Sequence, residues 1–152
     1  VKKLIFSLSI LSIIMLTACT ENPEAKLKED ISTFKTSVCA EVSMEAFIFD
    51  EAVEHVDLIA HVKMNEIVGI RKRELPKAIF EADILEVIKG ETDEEKITIM
   101  QENLCGFDLF EEGEEWVLFL NETVDAPEAD YWIEGSYQGV FEVGDEMVEN
   151  LK

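Results

Sequence analysis

Basic side chains are scarce in this sequence. Against 34 Asp and Glu stand 13 Lys and Arg, a formal net charge of −21. A surface so acidic argues against nucleic acid, anionic lipid headgroups or phosphate-rich polymers as direct partners, since each meets like-charge repulsion. It favours solubility, cations or a basic partner surface, and a solvated exterior accounts for most of it. Cysteine is limited to three residues with no CxxC, so neither a redox pair nor a zinc knuckle is suggested. No apolar run reaches the roughly 20 residues that a membrane-spanning helix needs. Internal repeats and low-complexity blocks are missing, and so are helices of βαβ crossover length, which excludes repeat arrays and parallel α/β folds.

Catalytic signatures are missing as well. His55 and His61 have no HExxH or three-ligand zinc spacing around them, and the chain has no nucleophile elbow, Cys-His arrangement or Gly-rich phosphate loop. The expectation is a non-enzymatic chain with no catalytic, cofactor or metal residues, with His61 solvated on the outer face of a strand. The acidic runs Asp93-Glu94-Glu95 and Glu111-Glu112-Gly113-Glu114-Glu115 fall at turns and do not follow the alternating ligand pattern of an EF-hand.

What is present begins at the N-terminus. Lys2 and Lys3 precede an apolar run, Leu4 to Leu16, diluted only by Ser7, Ser9 and Ser12. It ends in Leu16-Thr17-Ala18-Cys19, a lipobox: a branched aliphatic residue, two small ones that fit a narrow peptidase cleft, and a thiol that takes up diacylglycerol. Residues 1–18 are therefore expected to be a lipoprotein signal peptide. Lipid on Cys19 would hold the chain to the outer face of a bacterial membrane, more firmly with two or three acyl chains than with one. Residues 19–37, polar and charged, read as a flexible tether with a helical turn near Leu27 to Phe34. Residues 38–152 read as the domain. In an oxidising exterior, Cys39 and Cys105 are either a bridged pair or two free buried thiols.

Within the domain, a short helix is expected over Glu51 to Val56 with Asp50 as N-cap. Leu58, Ala60, Val62 and Met64 alternate with His61 and Lys63 as one strand. Lys77 to Ile88 forms the next, where Phe80, Ala82 and Ile84 give way to Leu85 and Val87, a phase slip that marks a bulge. Lys89-Gly90 ends it. Further strands are expected at Lys96–Gln101, Glu115–Leu120, Tyr131–Ile133, Ser136–Val143 and Glu146–Val148, with Gly144-Asp145 as a hairpin turn. Many short strands with one small helix indicate a mainly β domain, a small closed or partly closed barrel.

The order of motifs resembles the tissue inhibitors of metalloproteinases, netrin-like modules on an OB-type barrel. The resemblance runs through Cys39-Ala40, Val56 to Val62, Phe80 to Gly90, Ile97-Thr98-Ile99 and Leu104-Cys105-Gly106, then Gly113 and Trp116 to Leu120. It implies an OB-like barrel and a Cys39–Cys105 bridge. The inhibitory activity does not carry over, because that family chelates the protease zinc with a free N-terminal cysteine, whereas Cys39 lies inside the chain and Cys19 is the expected lipid site. Fold kinship alone does not give function.

The expected function is a membrane-anchored protein-interaction module with a protein partner at the cell envelope. Two alternatives stand beside it: a protease inhibitor acting through a loop such as Arg71 to Pro76, and a divalent-cation binder using the acidic turns. Tyr131, Trp132, Tyr137 and Phe141 point to a binding face, since Tyr and Trp are common interface anchors. No basic residues interleave with them, as a nucleic-acid face would need. Asn121-Glu122-Thr123 has glycosylation spacing but reads as a strand end.

Overall fold

A computed structural model describes residues 22–41, 43, 46–73 and 75–152. Cys19 and residues 1–18 lie outside the described residues. The chain is mainly β: β1 (Leu58–Arg71), β2 (Lys77–Lys89), β3 (Lys96–Glu102), β4 (Glu115–Glu122), β5 (Tyr131–Ile133) and β6 (Val140–Glu142). Three helices accompany them, α1 (Pro23–Thr36), α2 (Phe49–His55) and α3 (Glu146–Glu149).

The strands close on themselves in the order β1-β2-β3-β5-β4, with β4 returning to pair β1. All contacts are antiparallel except β3–β5, a parallel joint of two residue pairs, Ile99↔Tyr131 and Met100↔Trp132. This is a closed five-stranded barrel, as the strand pattern led one to expect, and it is OB-like, as the resemblance implies. Period-2 alternation sets its lining. Leu58, Ala60, Val62 and Met64 of β1 point inward and meet Phe80, Ile99, Leu118 and Leu120. The phase slip in β2 is a bulge: pairing steps from His61↔Glu86 to Val62↔Ile84, leaving Leu85 unopposed. Gly90 ends the strand at φ +89°, where a Cβ would stand 2.2 Å from the Asp57 carbonyl.

The apolar run in β4 has a physical reason beyond the barrel. Leu118 and Leu120 face inward, while Val117 and Phe119 face outward under a second layer. That layer consists of α2 and α3, through Ala52, Val56 and Val148, together with a ring cluster of Phe47, Phe49, Phe119 and Phe141. Both faces of β4 are buried, so its sequence shows no alternation.

Four expectations require correction. Residues 23–36 of the expected tether form a 14-residue helix. Asn22 caps it through Glu24 N–H, Pro23 opens it, and Leu27, Ile31 and Phe34 make an apolar stripe at helical spacing whose last member is buried in the barrel core. Among the described residues there are thus three α-helices where one short helix is expected. The second, α2, starts at Phe49 with Ile48 as an unbonded N-cap, and Asp50 lies in its first turn, where a negative charge suits the helix dipole. The expected strand over 136–143 is divided, because Gly135 and Ser136 both take left-handed φ (58° and 56°) and a 3-10 turn over Ser136–Gly139 precedes β6. Finally, Glu146–Val148 is helical. Asp145 caps Met147 N–H at 2.8 Å, and Val148 is buried in the outer layer.

The disulfide implied by the resemblance is present, joining Cys39 to Cys105. Beside it, Ala40 N–H donates to the Asn103 carbonyl and Cys105 N–H donates to the Ala40 carbonyl. The Asn103 amide also reaches the Phe34 and Ser37 carbonyls, so the end of α1 is fixed to the end of β3.

The parallel joint depends on one carboxylate. Asp130 accepts from both the N–H and the hydroxyl of Thr98 at 2.7 Å, and its own N–H donates back to Thr98. Asp130→Ala is expected to cost about 2 kcal/mol, since hydrogen bonds to a charged group exceed neutral ones. Chemical denaturation measures this, with Glu128→Ala as a neighbouring control that should change little.

Candidate functional site

A small concave surface lies on the barrel wall beside the parallel joint. Alternation along β5 sends Tyr131 and Ile133 into the core and turns Trp132 outward, where it is 39% exposed. The left-handed pair Gly135-Ser136 then swings the chain so that Tyr137 stacks on Phe107, their ring centroids 3.3 Å apart. Phe107 is presented by the loop after Cys105. Gln101 pins that loop, donating to the Asp108 carbonyl and accepting from Phe110 N–H. Met100, Leu104 and Val140 complete the floor of a cleft of about 50 Å³. That space admits the end of a side chain rather than a nucleotide-sized cofactor.

Polar groups at the rim satisfy one another. Lys77 pairs with Glu102 at 2.6 Å, and the Ser136 hydroxyl donates to the same carboxylate at 3.2 Å. Lys77 also lines a second depression at the β1–β2 hairpin, with Arg71 and with Arg73 and Leu75 of the tip, both exposed.

The aromatic residues singled out from the sequence therefore divide. Trp132 and Tyr137 line the cleft; Tyr131 belongs to the core and Phe141 to the outer layer. Phe107 was not singled out, and nothing local in the sequence distinguishes it, since its role follows from the disulfide that ties its loop. Burial pushes the Tyr131 hydroxyl above its ordinary value of 10.0. The neutral phenol is thus favoured in the folded state. Its contribution to stability is fully present below pH 10 and is lost as pH rises through the folded-state value. Urea midpoints measured across the alkaline range are expected to fall more steeply for the native chain than for Tyr131→Phe.

His61 is not solvated. Its side chain is only 15% exposed and meets Glu115 at 3.0 Å, because the outer face of β1 and β4 is covered along part of its length. His55 stands 3.6 Å from Glu134, whose other oxygen accepts from the buried amide of Asn121. Asn121, the residue with glycosylation spacing, is thus an internal strand residue. Ser136 lies two residues from Glu134, but its hydroxyl donates to Glu102 and makes no bond to His55. Among the described residues neither histidine is bonded to a hydroxyl or thiol nucleophile.

In the acidic turn over 111–115, two carboxylates have local partners: Glu115 meets His61, and Glu114 is bonded within the turn. Glu114 accepts from Glu111 N–H and from the Trp116 indole. Between Glu81 and Asp83 the Lys96 ammonium occupies the position a cation would take, and the Glu81 hydrogen bond holds its pKa above the ordinary value. Among the described residues no group of three or more His, Cys, Asp or Glu converges as a metal site.

No family model matches the chain, and no curated protein matches it.

Proposed function

We propose that this chain is an extracytoplasmic lipoprotein, anchored through Cys19, whose barrel is a non-enzymatic module that binds a protein partner at the cell envelope. One observation carries the binding reading: an open cleft of outward-turned aromatic rings, Trp132, Tyr137 and Phe107, on a barrel wall whose polar groups are paired with each other rather than aligned for catalysis. An exposed Trp132 and Phe107 with a half-buried Tyr137 on a rigid support suit an interface, since large rings bury much area at little cost in rotamer freedom. The anchor reading rests on Leu16-Thr17-Ala18-Cys19, and the Cys39–Cys105 bridge supports an oxidising compartment.

Two experiments test the two halves separately. Metabolic labelling with an alkyne fatty acid should mark the native chain and not Cys19→Ala; equal labelling of both sinks the anchor. A photo-crosslinking residue at Tyr137 should trap one recurrent partner in intact cells, and the same residue at Glu94, on another part of the surface, should not. Failure to trap anything at Tyr137 sinks the interaction module.

A second reading, protease inhibition through residues 71–76, is favoured by the hairpin itself. Strands β1 and β2 pair out to Arg71↔Lys77 and hold Arg73 and Leu75 out at the tip. Screening against secreted proteases with trypsin-like preference decides it, and unimpeded substrate cleavage removes it.

A further inference from the structure

We propose that the surface running from the β1–β2 hairpin tip to the aromatic cleft docks an acidic polypeptide segment that carries an apolar anchor side chain. This rests on the interaction-module reading and specifies the partner's chemistry. The chain has two arginines, Arg71 and Arg73, and both sit on this surface.

The environment of Arg71 is the telling one. Among the described residues its buried Nε has no hydrogen-bond partner, and its Nη1 reaches the Met100 sulfur at 3.6 Å. Guanidinium carries five N–H donors, and thioether sulfur is a weak acceptor, so most of its bonding capacity is unspent. In a chain with 34 carboxylates this is unexpected, because buried polar groups are ordinarily paired. The neighbouring lysines are paired: Lys72 with Asp30 and Lys77 with Glu102, each at 2.6 Å. Among the described residues no carboxylate pairs with Arg71 or Arg73. Glu128 lines the depression beside Arg71 without forming an ion pair to it.

Two chemistries meet at Met100. Its sulfur touches Arg71, and its side chain floors the cleft under Trp132. A ligand that uses both needs a planar anion for the guanidinium fork and an apolar group for the cleft. A carboxylate-bearing peptide with a Leu or Phe supplies them. A phosphate polymer would engage the arginines and leave the aromatic cleft unused. The net charge of the whole molecule does not forbid the contact. Screening within about 8 Å at physiological salt lets the local arginines dominate, while the rest of the acidic surface repels the same segment and so fixes where it binds.

The test uses the full chain in detergent micelles and a short fluorescent peptide with a central Leu-Phe pair flanked by Asp and Glu. Two control peptides replace the acids by Lys or the Leu-Phe pair by Ser. The acidic peptide is expected to bind at least about tenfold more tightly than either control. Arg71→Gln and Arg73→Glu, the latter at an exposed position, should each weaken it about tenfold, and Trp132→Ala by a similar factor. Arg73→Glu should keep the native circular dichroism and melting curve, so its loss reads as binding. Equal binding of acidic and Lys peptides, or acidic binding that survives both arginine substitutions, overturns the proposal. So does binding of polyphosphate that ignores Trp132→Ala. If a partner is trapped at Tyr137 yet no acidic peptide binds, the acidic-segment inference fails and the interaction module stands; if nothing is trapped, the failure lies in the module.

Discussion

Replacing Cys39 and Cys105 together by serine is expected to lower the free energy of unfolding by about 4 kcal/mol, the chain-entropy value for a cross-link of this span. The two residues are 66 apart in sequence, so the bridge removes a large family of expanded conformations from the unfolded chain. Among the described residues, hydrogen bonds join the bridge in holding this junction. Ala40 and Leu104 form an isolated bridge of two backbone hydrogen bonds, and the Asn103 amide adds long contacts of 3.4 Å to the end of α1. Urea titration of the native and double-serine chains measures the loss, and the m-value should rise in the variant as its unfolded state expands. A second readout is local. Phe107 sits two residues after Cys105, and its stack on Tyr137 should loosen, changing the near-ultraviolet circular dichroism even where the barrel stays folded. A loss below about 1 kcal/mol with an unchanged m-value would mean that the bridge does not constrain the unfolded chain.

The barrel was legible from residue patterns because its lining obeys period 2. Leu58, Ala60, Val62 and Met64 announce one face of β1, and the slip from Ile84 to Leu85 announces the bulge. Elements fixed by tertiary contact were less legible. Glu146 to Val148 ends in two adjacent apolar residues that a short strand could also use, yet the Asp145 cap and a buried niche for Val148 make it a helical turn. The interruption at Gly135-Ser136 depends on backbone conformation, which side-chain pattern does not report for serine. Of the cleft, Trp132 and Tyr137 were found by residue type, while Phe107 was missed because its position is set by a disulfide and by the side chain of Gln101. By pattern Arg71 opens the loop that runs to Pro76. It is instead the last residue of β1, partly buried, and its Nε lacks a partner among the described residues, a tertiary feature that no local pattern reports.

Truncating Phe34 to alanine is the change expected to redefine the N-terminal segment, at a cost of about 3 kcal/mol for a buried ring. An isolated helix of this length is marginal in water, and α1 is polar over most of its surface. Its order therefore comes from docking: Phe34 in the barrel core, Leu27 and Ile31 half-buried above it, and the Lys72–Asp30 ion pair at the surface. The exposed pair Lys28–Glu24 adds little. Without the ring, α1 should detach while β1 to β4 remain protected. Amide hydrogen exchange separates the two, since protection should vanish over residues 24–36 and persist in the strands. Leu27→Ala, at a half-buried position, should shift α1 protection less. The result bears on the proposed anchor. With α1 docked, only three residues separate Cys19 from the first turn of a helix held against the barrel, so the lipid would hold the domain close to the bilayer instead of on a long tether. If Phe34→Ala leaves α1 fully protected, the docking energy lies elsewhere and α1 does not owe its order to the core.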